Sequence, residues 1–527
     1  MHAFKSKIDP KSEKFKENQA WMKGKVKELN DLLAKSQWQG EEKHIAKAKK
    51  AGKMLARERI KKVLDSKSPY LNLLPLVGYG RESFALGGTM AACIGLVNKR
   101  LCMVIANIAT IKGGSIDQVT LEKALRLNNI AMENRLPTIY LVESAGANLE
   151  EQAKIFNLGG TNFREITRRS KEGIPTISVV FGNSTAGGAY IPGMSDYVIM
   201  VKKQAKVFLA GPPLVKMATG EESDDETLGG AEMHSRISGV SDFLAKDEKE
   251  AIEIARDLMA LVNVKTQEGE LPPKGVEPKY NAEELLGIVG KDPRQGFDMR
   301  EIIARIVDGS EFLEFKAEYG PTLVTGFAKI HGFNVGILAN NGVLVSESAN
   351  KGAHFIQLCN RSNTPLIFFQ NITGFMVGKK YEQGGIIKDG AKMINAVSNS
   401  GVPALTIIIG ASYGAGNYAM CGRAFEPRFL FSWPNSKIAV MGAQQLAGVM
   451  QMLKVKTGKA DLKDIQKDAD TLAEQVDEQS NAFYATGQLW DDGVIDPRLT
   501  RHHLGMGLST IFNAPFEGNN EYGVFRM

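Results

Sequence analysis

The chain of 527 residues has room for two or three domains, and 43% hydrophobic with 24% charged residues is the balance of an ordinary globular protein. Its net charge of +6, from 65 Lys plus Arg against 59 Asp plus Glu, is too mild to argue for nucleic acid. Cys93, Cys102, Cys359 and Cys421 lack C-x-x-C spacing, so neither a zinc cluster nor a disulfide framework is suggested, and a reducing compartment fits.

The opening stretch MHAFKSKIDPKSEKF lacks an apolar signal core, and its acidic residues argue against a transit peptide. No apolar run reaches membrane-spanning length. The expectation is a cytoplasmic protein, or a mitochondrial matrix protein in a eukaryote, with no nucleic-acid or membrane partner. The basic segment Ala46 to Lys62 (AKAKKAGKMLARERIKK) reads first as a solvated helix face.

Thr120 to Asn134 reads as a helix, and the runs IYLV and ISVVFG after it read as strands. Strands rich in Val and Ile on both faces are typical of sheets covered by helices, so the fold class is α/β. The acidic cluster Glu221, Glu222, Asp224, Asp225 and Glu226 reads as a solvated loop. No H-E-x-x-H pair or His and Cys spacing points to a metal site, and none is expected.

The chain then repeats itself. Pro175 to Gly182 (PTISVVFG) and Pro403 to Gly410 (PALTIIIG) lie 228 residues apart, as do Pro137 to Glu143 (PTIYLVE) and Pro365 to Asn371 (PLIFFQN). The segments that follow, STAGGAY and SYGAGNY, place Gly187 and Gly188 opposite Ala415 and Gly416. Farther on, AKVFLAG ending at Gly211 matches SKIAVMG ending at Gly442, and GVSD ending at Asp242 matches GVID ending at Asp496. The growing offset locates an insertion in the charged stretch KVKTGKADLKDIQKDADTLAEQVDEQ, which reads as an exposed helix. Repeats of this length are duplicated domains. Linker composition between Glu268 and Pro293 sets the expected division at 1–267, a linker 268–293, and 294–527.

Two readings of the glycine turns stand side by side. Gly410-Ala-Ser-Tyr-Gly414 fits G-x-S-x-G, with Ser412 as nucleophile and Asp491, Asp492, Asp496, His502 and His503 in a permitted order behind it. The matching turn around Ser184 lacks the full pattern, and the position opposite His502 is Glu248. The other reading uses what both turns share: an apolar strand, a Gly-rich bend, and a segment able to begin a helix. Such a bend can aim backbone N–H groups at an oxyanion without any ionisable side chain.

The stretches GGSIDQVTLEKALRLNNIAMENRLPTIYLVESAGANL, GNSTAGGAYIPGMSDYVIMV, FLAGPPLVKMATGE, FFQNITGFMVGKKYEQGGIIKDGAKM, YGAGNYAMCGRAFEPRFLFSWPNSKIAVMG and WDDGVIDP together resemble the carboxyltransferase (β) subunit of biotin-dependent acyl-CoA carboxylases. GPPLVK, QNITGFMVG and the CGRA, PRF and WPN series look most like the 3-methylcrotonyl-CoA carboxylase type. The resemblance implies two tandem crotonase-like (ββα spiral) domains, the first binding acyl-CoA and the second binding biotin for a neighbouring subunit. By matching position, Gly187 and Gly188 would hold the thioester oxygen, and Ala415 and Gly416 the ureido oxygen of biotin. Gly113, Gly114, Ala145, Gly146 and Ala147 would pass along the thioester and pantetheine. Gly374 and Gly385 would line the biotin side, and the Ala46 to Lys62 segment would attract CoA phosphates.

The resemblance also implies what the chain lacks. No A-M-K-M biotin attachment motif and no G-x-x-x-x-G-K-[ST] loop is present, so carboxybiotin would arrive on a biotin carboxylase and carrier (α) subunit. A β hexamer within an α6β6 complex is expected. The stretch Phe156 to Gly173 departs from the methylcrotonyl pattern and ESAGAN from the D-S-G-G form usual in the wider family, which leaves propionyl, geranyl and longer acyl groups open. A biotin-dependent decarboxylase subunit and a non-catalytic scaffold are the remaining alternatives.

Overall fold

The computed structural model describes residues 3–262, 271–292, 295–457 and 462–525. They form two compact units, one of Met1–Leu32, Pro272–Leu508 and Pro515–Met527, the other of Leu33–Leu271 and Ser509–Ala514. The first thirty-odd residues therefore cluster with the second half of the chain. Phe15, Met22, Val26 and Leu29 bury one stripe of the helix Glu13–Lys35, and the close approach of Phe15 to Gly287 leaves no room there for a β-carbon.

In the unit built on Leu33–Leu271, the strands are β1 (Tyr70–Asn72), β2 (Met90–Val97), β3 (Arg100–Asn107), β4 (Thr138–Ser144), β5 (Thr176–Thr185), β6 (Tyr197–Val201), β7 (Lys206–Phe208) and β8 (Phe243–Ala245). They are ordered β1-β2-β3-β4-β5-β6-β8, with β7 joined to β5. The first three pair antiparallel, and β3 onward pair parallel. Each residue of β2 is buried, which is why the sequence shows apolar runs instead of alternation.

The other unit carries β9 (Leu313–Glu314), β10 (Leu323–Ile330), β11 (Phe333–Asn340), β12 (Leu366–Ile372), β13 (Ala404–Tyr413), β14 (Phe429–Ser432) and β15 (Lys437–Ala439). Their order runs β9-β10-β11-β12-β13-β14, with β15 joined to β13, so the same antiparallel hairpin leads into the same parallel run. This is one ββα spiral built twice.

The duplication extends to an irregularity. Pairing of β4 with β5 slips between Val142 and Ser144, bringing Ser144 opposite Ser184, and pairing of β12 with β13 slips between Gln370 and Ile372, bringing Ile372 opposite Ser412. Such a bulge bends its strand. Beyond it, β5 continues onto β7 and β13 onto β15, so Ser184 and Ser412 occupy the same place in their sheets. Gly182 and Gly410 are glycine because a β-carbon would strike the side chains of Glu143 (Oε1 at 2.5 Å) and Asn371.

The insertion stretch is helical where it is described: the helices Ala443–Thr457 and Leu462–Ser480 flank residues 458–461, which lie outside the described residues. Ile465, Ala469 and Ala473 are buried at four-residue spacing and the other side of the helix is exposed. Of the expected linker 268–293, residues 271–292 are described, and apart from the short turns Ala282–Glu284 and Leu285–Ile288 they are irregular. No helix among the described residues is long and apolar enough to cross a membrane.

Candidate functional site: two equivalent glycine turns

Each long parallel strand ends in a left-handed residue. After β5 it is Ala186 (φ +51°), leading into the short turn Ala186–Ala189; after β13 it is Gly414 (φ +55°), leading into the helix Gly414–Ala419. A non-glycine residue in this region costs about 1–2 kcal/mol, so Ala186 is strain held in place by its surroundings. Gly188 and Gly416 are buried, whereas Gly187 is half-buried and Ala415 exposed.

Both turns rest on the loop that follows the preceding strand. A β-carbon on Gly188 would lie 3.5 Å from Gly146 Cα, and one on Gly416 would lie 3.2 Å from Gly374 Cα and clash with Ile372 Cγ1 at 2.5 Å. Gly146 (φ +89°) and Gly374 (φ +127°) are themselves 228 residues apart. The loops are fixed by matching bridges. Ile116 N donates to Gly146 O (2.8 Å) and Asn148 N to Ile116 O (2.9 Å); Leu344 N donates to Gly374 O (3.2 Å) and Met376 N to Leu344 O (2.8 Å). In such a bridge the middle residue turns its own N–H to the opposite side, and those residues are Ala147 and Phe375. Phe375 escaped the sequence reading because its place opposite Leu344 is a matter of backbone position, which its side chain does not announce.

The remaining expected positions are placed as follows. Ala145 N donates to Gly113 O (2.9 Å), and Ser144 Oγ donates to Gly114 O (2.7 Å) while accepting from Gly146 N (3.1 Å), so Gly113, Gly114, Ala145 and Gly146 are brought together with Gly188. Gly374 is joined to the Gly416 turn. Gly385 (φ +89°) begins the helix Ile386–Ser398, and its hydrogen bonds run to Glu382 and Asp389, not to that turn.

A cleft of about 610 Å³ opens beside the first turn, and its walls include Lys47, Lys53, Arg59, Lys112, Gly113 and Ala145. The basic segment thus lines a cavity in addition to facing solvent. Arg59 is buried and pairs with Glu248 (2.8 Å) and Glu143 (2.7 Å), while Lys53 also meets Glu143 (2.6 Å). Burial works against the Arg59 charge, but the two carboxylates outweigh it and hold the guanidinium above the usual arginine value. With Glu143 neutralised in this way, the exposed Lys47 and Lys112 leave the cleft positive. Ser144 lines both this cleft and a smaller chamber of about 40 Å³ that is also lined by Gly188.

Neither turn serine is set up as a nucleophile. Ser184 Oγ donates to Gly188 O (2.9 Å), and Ser412 Oγ donates to Gln370 Oε1 (2.5 Å) while accepting from Asn417 Nδ2 (2.7 Å). His503 spends its Nδ1 on Leu499 O (2.9 Å), and burial pushes it down to about 4. The hydroxyls instead pin the turns. Asp224 accepts from the N–H groups of Glu226 and Thr227 as an N-cap, and Glu221, Glu222, Asp225 and Glu226 are exposed around it.

The carboxyl transferase domain family matches residues 47–520. Over 528 residues the chain is 54% identical to a probable biotin-dependent acyl-coenzyme A carboxylase beta2 subunit of Mycobacterium tuberculosis, covering 99% of each chain. It is 48% identical to a probable mitochondrial methylcrotonoyl-CoA carboxylase beta chain of Drosophila melanogaster, covering 99% of this chain and 95% of the other. The crystal structure of the P. aeruginosa geranyl-CoA carboxylase beta subunit superposes with a TM-score of 0.89 at 44% identity, covering 100% of both chains. Matched along nearly its whole length in sequence and in fold, the chain belongs to the carboxyl transferase family and is a carboxyltransferase of the biotin-dependent acyl-CoA carboxylase β-subunit type.

Proposed function

We propose that this chain receives a carboxyl group from carboxybiotin presented by a biotin-carrying α subunit and transfers it to a short acyl-CoA, with 3-methylcrotonyl-CoA as the leading substrate. The observation that carries this reading is the pair of glycine turns built alike, 228 residues apart, each backed by a glycine loop of left-handed geometry. The assembly would contain six β chains and six α chains.

Carboxybiotin, when bound, would supply the carboxyl group as CO₂, and the biotin left behind would accept the proton removed from the acyl-CoA. The residues of this chain hold the charges. Gly187 and Gly188, with the N–H of Ala147 beside them, face the thioester oxygen, where negative charge develops as the acyl-CoA loses its proton. Ala415 and Gly416, with Phe375 N–H, face the ureido oxygen of biotin. Left-handed glycines and a bulged strand fit a ligand oxygen approaching the backbone, and a β-carbon at Gly416 would push the turn away from Ile372 and Gly374. Because donors fixed before the reaction need no reorganisation, they favour the charged state over the neutral one. For a 3-methylcrotonyl group the double bond relays the charge to the γ-carbon, which becomes the carboxylated position. Lys47 and Lys112 in the cleft draw in the CoA phosphates, and Gly113, Gly114, Ala145 and Gly146 admit pantetheine close to the backbone. Gly374 and Gly385 line the biotin side.

The test is substitution of each turn in the complex with its natural partners. Gly188→Val and Gly416→Val should each lower carboxyl transfer by two orders of magnitude or more, because the added side chain shifts the turn and its N–H groups out of place, and an oxyanion donor put out of reach costs roughly 10²–10³. Folded variants with wild-type rates would refute the assignment.

A further inference from the structure

The chamber beside Gly188 has a polar end that the repeat does not require. Its walls include Ser144, Val142 and Ile191, and at one side Asn128, Tyr140 and Asn162. Asn128 is 2% exposed and Asn162 7%, and behind them Arg169 is fully buried. Among the described residues no carboxylate pairs with Arg169. Its guanidinium donates to Thr138 Oγ1 (2.8 Å), to Asn128 Oδ1 (3.1 Å) and to the Tyr140 hydroxyl, and its Nε is buried without an acceptor.

The second copy shows what the fold alone would place here. The helices Gln118–Glu133 and Ser346–Arg361 are offset by 228 at both ends, and at the same offset Asn128, Tyr140, Asn162 and Arg169 correspond in sequence to Ile356, Phe368, Gly390 and Val397. Ile356, Phe368 and Val397 belong to the apolar core of their unit. A buried cation and two buried amides replace that core only in the first copy, at a cost in desolvation that the fold did not need to incur.

The network also has a fixed direction. Arginine can only donate, so Asn128 must turn its oxygen to Arg169, its Nδ2 then donates to Asn162 Oδ1 (2.7 Å), and Asn162 keeps its Nδ2 for the chamber. We propose that Asn162, oriented through Asn128 by the positioning residue Arg169, is the specificity-determining floor of the acyl chamber, admitting acyl groups of about five carbons and rejecting longer hydrocarbon chains. A chamber of about 40 Å³ holds roughly three to four heavy atoms, given about 10–15 Å³ for one water by this measure, which matches the carbons of a five-carbon acyl group beyond its thioester carbonyl. A longer chain would have to bury hydrocarbon against an amide donor and the charge behind it.

This inference rests on the acyl-CoA reading above, so its test has two readouts. In the complex with its partners, kcat/KM is measured for 3-methylcrotonyl-CoA and for geranyl-CoA; with the purified chain, Kd is measured for both by calorimetry. Wild type should favour the five-carbon ester in both. Asn162→Ala should raise the ten-carbon to five-carbon ratio at least tenfold. If that variant does not fold, the triple variant Asn128→Ile, Tyr140→Phe, Arg169→Val, which copies the second repeat at three of the four positions and frees Asn162 from its fixed orientation, decides with the same expected rise. An unchanged ratio in both readouts, or a wild type that accepts the two esters equally, overturns the inference. A Kd ratio that shifts as expected while neither ester is carboxylated supports the floor and counts against the proposed reaction.

Discussion

Gly146 and Gly188 stand backbone against backbone, and the two tolerate a side chain very differently. A β-carbon on Gly188 would lie 3.5 Å from Gly146 Cα, an ordinary contact, and the φ of Gly188 is not positive. One on Gly146, at φ +89°, would lie 2.6 Å from Thr185 O. Gly146→Ala should therefore destabilise its unit by about 2 kcal/mol or more, since the left-handed conformation alone costs 1–2 kcal/mol. Gly188→Ala should unfold near the wild-type midpoint yet lose about 10²-fold in transfer, because its methyl group enters the acyl chamber. Urea melts and steady-state rates on the two variants check the contrast.

The cleft cations should act on binding and not on the chemical step. Lys47 is exposed on the helix Glu42–Lys50 and lines the cleft. Lys47→Ala should raise KM for the acyl-CoA several-fold at low salt with kcat unchanged, and the difference should shrink as salt screens the charge over the roughly 10 Å Debye length at 0.1 M. A change in kcat with unaltered KM would place Lys47 elsewhere.

Ser412→Ala separates backbone catalysis from serine nucleophilicity. The substitution leaves Gln370 Oε1 and Asn417 Nδ2 without their buried hydroxyl partner, so a stability loss of about 1–3 kcal/mol is expected. Carboxyl transfer by the folded variant should stay near wild type; abolition of transfer without unfolding would restore the serine as a reacting group.

The unit containing Pro272–Leu508 should lose stability as pH rises through mild acidity, because of Asp491. Burial pushes this fully buried carboxyl up to about 6. Its folded value lies above that of the unfolded chain, near 4, so the fold favours the protonated form. The contribution is complete below about pH 4 and is lost as pH rises through about 6, amounting to up to about 3 kcal/mol. Asp491→Asn should flatten chemical-denaturation stability between pH 4 and 7. A variant with the wild-type slope would assign the dependence to another group.

Much of the fold was legible because duplication leaves a countable mark: Pro175 with Pro403 and Pro137 with Pro365 share one offset, and the bulges at Val142–Ser144 and Gln370–Ile372 keep it in three dimensions. The grouping of Met1–Leu32 with the second half was not legible, since packing of Phe15 on Gly287 joins positions remote in sequence. The site divided in the same way. Glycines at turns advertise backbone geometry, so Gly188, Gly146, Gly374 and Gly416 could be named. Phe375 is placed beside the turn by its main chain alone, and Asn128, Asn162 and Arg169 look like ordinary polar helix residues until folding buries them together.

The most direct test of the account is ATP-dependent incorporation of labelled bicarbonate by the chain co-purified with its natural partners, across a panel of acyl-CoAs of increasing length. The account predicts acid-stable label in a short branched enoyl-CoA, 3-methylcrotonyl-CoA foremost, and its loss in Gly188→Val and Gly416→Val. No incorporation into any ester by a folded complex whose biotin becomes carboxylated would contradict it.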